Sequence, residues 1–165
     1  MNLGESLLSI GALFLLSLTV LRVNNTILQT DTIMNESKFG ILATSIATSF
    51  IEKANKKSFD ANTFEDAVSS LSGLTPASGL GPGSGETTPE NFNDFDDFNG
   101  YTEQITTLPS ATYDVSCEVC YINPGDPNGQ ISTQSWHKKM TVTVSSPFSQ
   151  DTVKLSTVYS YWHFR

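Results

Sequence analysis

Apolar positions crowd the start of the chain and then thin into two different periodicities. Residues 7–21 read LLSIGALFLLSLTVL. With residues 1–4 and Val23 they give about 20 residues able to cross a hydrocarbon core of about 30 Å. From Asn24 to Lys57 there is no Pro and one Gly, Gly40. Ile27, Met34, Ile41, Leu42, Ile46 and Phe50 recur there at near-heptad spacing, which predicts that the helix continues with one packed stripe. Unbroken from about residue 2 to 56, such a helix is on the order of 80 Å long. Its first half must then be covered by something outside the domain. Lys53, Lys56 and Lys57 lie at the expected helix C-terminus, where cations complement the dipole. The expected organisation is a long helix over 1–57, with 1–23 as its membrane or filament-core segment, and a head over 58–165.

The head changes period. A short helical stretch is expected at Ala61–Leu71, followed by the loop 73–90, GLTPASGLGPGSGETTPE, which cannot hold a regular element. In NFNDFDDFNGY, residues 91–101, the aromatics Phe92, Phe95, Phe98 and Tyr101 recur every third residue between Asp94, Asp96 and Asp97. The expected arrangement is a turn whose aromatics plug a helix–sheet groove while the acids face water. A calcium site would use those acids, but their spacing does not match the EF-hand loop. From Ala111 the period is two. Tyr113, Val115, Cys117, Val119 and Tyr121 share one strand face; Trp136, Met140, Val142 and Val144 mark a second strand; and Val153, Leu155, Tyr159 and Tyr161 mark a third. Turn clusters at residues 123–129 and 147–151 separate them. The fold class predicted is α+β, a long N-terminal helix packed on a C-terminal antiparallel sheet spanning about 111–163.

Composition narrows the function. The chain has 165 residues and a net charge of -8, so no basic footprint exists for a phosphate backbone and no nucleic-acid partner is expected. Only 16% of residues are charged, below the usual quarter, and Ser, Thr, Asn and Gly are plentiful, a profile of extracytoplasmic surfaces. Cys117-Glu118-Val119-Cys120 is a C-x-x-C that lacks the following His of haem attachment, position 121 being Tyr. Zinc would need more ligands than His137 and His163 add. Residues three apart on a strand face opposite sides, so a Cys117–Cys120 disulfide requires a bulge; bonded and free thiols both stay open. Two histidines and no phosphate loop support no catalytic constellation. No enzyme, cofactor or metal is expected.

The anomaly is Glu5, one carboxylate in an apolar run, and such a group is a functional-site hypothesis by default. Met1-Asn2-Leu3-Gly4-Glu5-Ser6-Leu7-Leu8 followed by ten or more apolar residues resembles the mature N-terminus of type IV pilins and pseudopilins. In that family a leader peptidase cuts after a glycine, methylates the new first residue and leaves a glutamate at position 5, a numbering that fits if Met1 is the processed terminus. Arg22 and Phe14 stand where many members carry proline and glycine, so a locally melted helix segment is not carried over. The resemblance implies a filament subunit, held in the inner membrane before the pilus assembly machinery builds it into a homopolymer. Glu5 would pair with the Met1 amine of a neighbour, while Leu3, Leu7, Leu8, Ile10, Leu13, Phe14, Leu15, Leu16, Leu18, Val20 and Leu21 form the filament core. The alternatives are a pseudopilin of a secretion or uptake system and an extracytoplasmic binding module that the helix merely anchors.

Overall fold

The computed structural model describes residues 2–108, 111–149 and 151–161. The chain divides into two units, Met1–Lys38 and Phe39–Arg165. One helix, α1 (Leu3–Asn55), runs through the first and into the second. It contains no proline, and Gly11 and Gly40 leave it unbroken.

In the second unit α1 buries Ala43, Ala47, Phe50 and Ala54, with Phe39, Leu42, Ile46 and Ile51 half-buried beside them. The expected stripe is met in part: Leu42, Ile46 and Phe50 pack, and alanines join them. Ile41 is 70% exposed, and Ile27 and Met34, in the first unit, are exposed as well. Ala43, Ala47 and Ala54 share the packed face with the ring of Phe50.

The sheet is antiparallel and five-stranded: β1 (Thr102–Ile105), β2 (Tyr113–Asn123), β3 (Asp126–Ile131), β4 (His137–Ser145) and β5 (Val153–Ser160). Its path is β1-β2-β4-β5, with β3 also paired to β2. Together with α1 this is the α+β arrangement expected. Alternation decides its core face: Tyr113, Val115, Cys117 and Val119 of β2 and Met140, Val142 and Val144 of β4 are buried in one cluster with the α1 alanines and Phe92, Phe95 and Phe98. The continuation to His163 lies outside the described residues.

Two further expectations are corrected, and one strand is additional. No helix forms over 61–71; Ala61–Thr63 is a single 3-10 turn, closed by a capping box in which Asp60 and Thr63 satisfy each other's backbone. The cluster 123–129 is not all turn. β3 starts at Asp126, and its register against β2 shifts between Ile122 and Asn123, an irregularity of the kind that, with an edge position, lets a strand admit Pro127. β1 was not foreseen at all.

Between the parts of β2 paired to β1 and to β3, the edge is closed by the aromatic turn. Gly100 N–H donates to Cys117 O, Cys117 N–H to Tyr101 O, and Val119 N–H to Asn99 Oδ1. Gly100 takes a φ of 76° there, a conformation that glycine reaches without steric cost.

Candidate functional site

Two groups of residues depart from the usual division between apolar core and charged surface. The first is the N-terminal part of α1. All eleven apolar residues expected to form a filament core are exposed, from 44% at Leu18 to 81% at Leu3. They point to every side of the helix, so the segment has no polar face. It is long and apolar enough to cross a membrane, and none of its apolar window is buried. Three hydroxyls in and after it are satisfied within the helix: Ser9, Thr19 and Thr26 donate to the carbonyls of Glu5, Leu15 and Arg22 at 2.9, 2.8 and 3.0 Å. That bonding lets hydroxyls enter an apolar surrounding without an open donor. Glu5 sits in the first turn, exposed, and its carboxylate accepts the Asn2 amide at 3.2 Å. An anion there is favoured by the helix dipole. Met1, the expected partner, lies outside the described residues.

The second group is inside the head. Lys138 follows the β4 alternation onto the core face, two residues before Met140, and is fully buried. Its ammonium donates to Phe59 O at 2.9 Å and Asp60 Oδ2 at 2.8 Å, and also to Asp96 Oδ1. The rings of Phe59 and Tyr121 lie 4.7 and 5.2 Å from the nitrogen, placing the cation over π faces. Asp60 further accepts from Asn62 N at 3.1 Å, Thr75 N at 3.1 Å and Thr75 Oγ1 at 2.9 Å, while the one hydroxyl proton of Tyr121 lies between Thr75 O at 2.8 Å and Asp60 Oδ2 at 3.2 Å.

The acids that were expected to face water are therefore in the core: Asp94, Asp96 and Asp97 are 1%, 2% and 2% exposed. Their oxygens have local work. Asp94 Oδ1 accepts the amides of Asp96 and Asp97 at 2.8 and 3.2 Å, and Asp97 Oδ2 accepts those of Asn93 and Asp94 at 2.8 and 3.1 Å. Burial, then the charge of Asp96, pushes Asp94 up to about 8. Burial also raises Asp96, against the opposing pull of Lys138. Burial acts to raise Asp60 too, but Lys138 and the hydrogen bonds from Asn62 and Thr75 outweigh it and hold this carboxyl below its ordinary value. Among the described residues, no three His, Cys, Asp or Glu side chains converge as a metal site.

Cys117 and Cys120 are free and buried. They face opposite sides of β2, whose pairing with β4 runs unshifted from Asp114 to Tyr121, so the bulge a disulfide would need is absent. Burial pushes the Cys117 thiol up to about 12, which keeps it protonated and unreactive. His137 Nδ1 shares a 2.7 Å hydrogen bond with Ser160 Oγ; His163 lies outside the described residues. Asp60, Thr75, Tyr121 and Lys138 as a cluster had one sequence signal, a lysine on the apolar face between Trp136 and Met140. No family model, curated protein or solved structure matches this chain.

Proposed function

We propose that the chain is a structural subunit of an extracellular type IV pilus-like filament, drawn from a membrane-embedded precursor. The observation that carries this reading is the all-round exposure of the apolar residues from Leu3 to Leu21 on a helix that opens with Glu5. Burying one such side chain is worth about 1.5–3 kcal/mol, so eleven of them demand a covering of lipid or of like helices. In a bundle of like helices the lone carboxylate has to be neutralised. We take the α-amine of a processed Met1 in an adjoining subunit as its partner, and losing one partner of a buried pair costs about 3–5 kcal/mol. Pairing would thereby fix the axial register.

An anchor helix for a separate binding head would need the same apolar length but no function for Glu5. Glu5→Ala therefore distinguishes the two. Filaments seen by electron microscopy in the native host should vanish with the variant while its level in the membrane is unchanged, and the wild-type N-terminus should carry an N-methylated Met1 by mass spectrometry. Normal filaments from the variant would remove the register role.

A further inference from the structure

The chemistry around Lys138 is not used by a filament core, and the inference it carries stands whether or not the filament reading does. We propose that Lys138 Nζ and the Asp96 carboxyl carbon join in an intramolecular amide bond, with the loss of one water. The amine and the carboxyl are already in contact, and the side chains of Lys138, Asp60 and Asp96 are 0%, 0% and 3% exposed. Water, the competing nucleophile and the solvent that would stabilise the separated ions, is excluded. Two reacting groups fixed in contact gain the large effective concentration of an intramolecular reaction.

Asp96 rather than Asp60 is the acceptor because the two carboxyls are held differently. Asp60 is held by Lys138 and by hydrogen bonds from Asn62 N and from Thr75 N and Oγ1, which keep it a carboxylate, the least electrophilic form. Asp96 is bonded to the side chain of Asp94, which is fixed by the amides of Asp96 and Asp97. With its acidity shifted to about 8, Asp94 carries a proton at neutral pH and stands where one is needed. Proton transfer within the ion pair gives a neutral amine and a carboxylic acid. The nitrogen attacks the Asp96 carbon, Asp94 relays a proton to the departing oxygen, and the C–O bond breaks. Two of the three ammonium protons leave with that oxygen as water, the third stays on the amide, and Asp94 ends protonated as it began. Asp60 keeps its other donors once the cation is gone, which accounts for its surplus of them. The bond would tie the aromatic turn to β4 covalently.

The test is intact mass spectrometry of the full chain under denaturing, reducing conditions, compared with Asp96→Ala and Lys138→Met prepared in the same host. The wild type should fall one water short of the mass its variants imply, and proteolysis should release one branched peptide joining the segments that hold Asp96 and Lys138. Asp94→Asn preserves the turn's hydrogen-bonding shape and should slow bond formation by about 100-fold, the usual contribution of a positioned proton donor; it serves as the second reading if Lys138→Met does not fold. A wild type of full mass overturns the proposal. So does a missing water with the two peptides separate, which marks a succinimide, and a branch at Asp60 overturns the choice of acceptor.

Discussion

The N-terminal segment of α1 and the centre of the head violate the same rule in opposite directions. Residues 3–21 hold large apolar side chains in the open, while the head encloses Lys138, Asp60, Asp94, Asp96 and Asp97. The charges are tolerable because each meets its complement within the chain: an ammonium among two carboxylates, a carbonyl and two rings, and carboxylates on backbone amides. The apolar side chains meet nothing within it. Whether a residue type is misplaced is thus decided by its partners, and an unpartnered set of this size points outside the molecule.

The sharpest break of this contrast is removal of one side of it. A chain beginning at Phe39 retains every element of the second unit and should behave as a detergent-free monomer with intact sheet, measured by analytical ultracentrifugation and circular dichroism. The full chain should need detergent, lipid or its own assembly. Aggregation of the shortened chain would mean that the head relies on the first unit for folding.

Within the head, the partner argument separates adjacent lysines. Lys138→Met strands Asp60 and Asp96 in the core and should cost at least about 3 kcal/mol in denaturant melts, the penalty for breaking a buried pair before any covalent link to Asp96 is counted. Lys139, whose ammonium donates to Asn128 O at 3.3 Å on the surface, should tolerate the same change within about 0.5 kcal/mol. Equal effects would show that the cluster adds nothing beyond ordinary packing.

These lysines also show what the sequence could and could not reveal. Helix boundaries were legible because an apolar run without proline leaves few alternatives, and the faces of β2, β4 and β5 followed from period two. The spacing of large residues marks Leu42, Ile46 and Phe50 on the packed face of α1 but not Ala43, Ala47 and Ala54, whose small side chains carry no such signal. β1 and β3 have weak alternation, and β3 includes Pro127 and Gly129; tertiary pairing with β2 makes them strands. The ion cluster joins residues 60, 75, 96, 121 and 138, a convergence that no local spacing encodes. Glu5, in contrast, was conspicuous for its isolation.

Acidity offers a subtler probe of the enclosed charges. Folded Asp94 keeps its proton up to about 8, against 3.8 for an ordinary aspartate. Between those values the folded state binds more protons than the unfolded one, so this group's contribution to stability falls as pH rises. Asp60, held below its ordinary value, contributes stability above that value and loses it as pH falls. The head should therefore be most stable on the acid side of neutrality. Asp94→Asn, which keeps the protonated shape at every pH, should flatten the decline toward about 8. An unchanged profile in urea melts would place the titrating group elsewhere.

The smallest effect concerns a polar atom that is enclosed without a partner. Tyr113 is fully buried in the core, and its hydroxyl makes no hydrogen bond among the described residues. Burial raises its pKa, as desolvation of a phenol must. An unsatisfied donor costs about 1–3 kcal/mol that its ring packing has to offset. Tyr113→Phe removes the hydroxyl and keeps the ring, so stability should hold or rise by up to about 1 kcal/mol, read from the denaturation midpoint at constant m-value. A loss of that size would instead show that the oxygen has found a partner, such as an ordered water, and that the head leaves no polar group uncompensated.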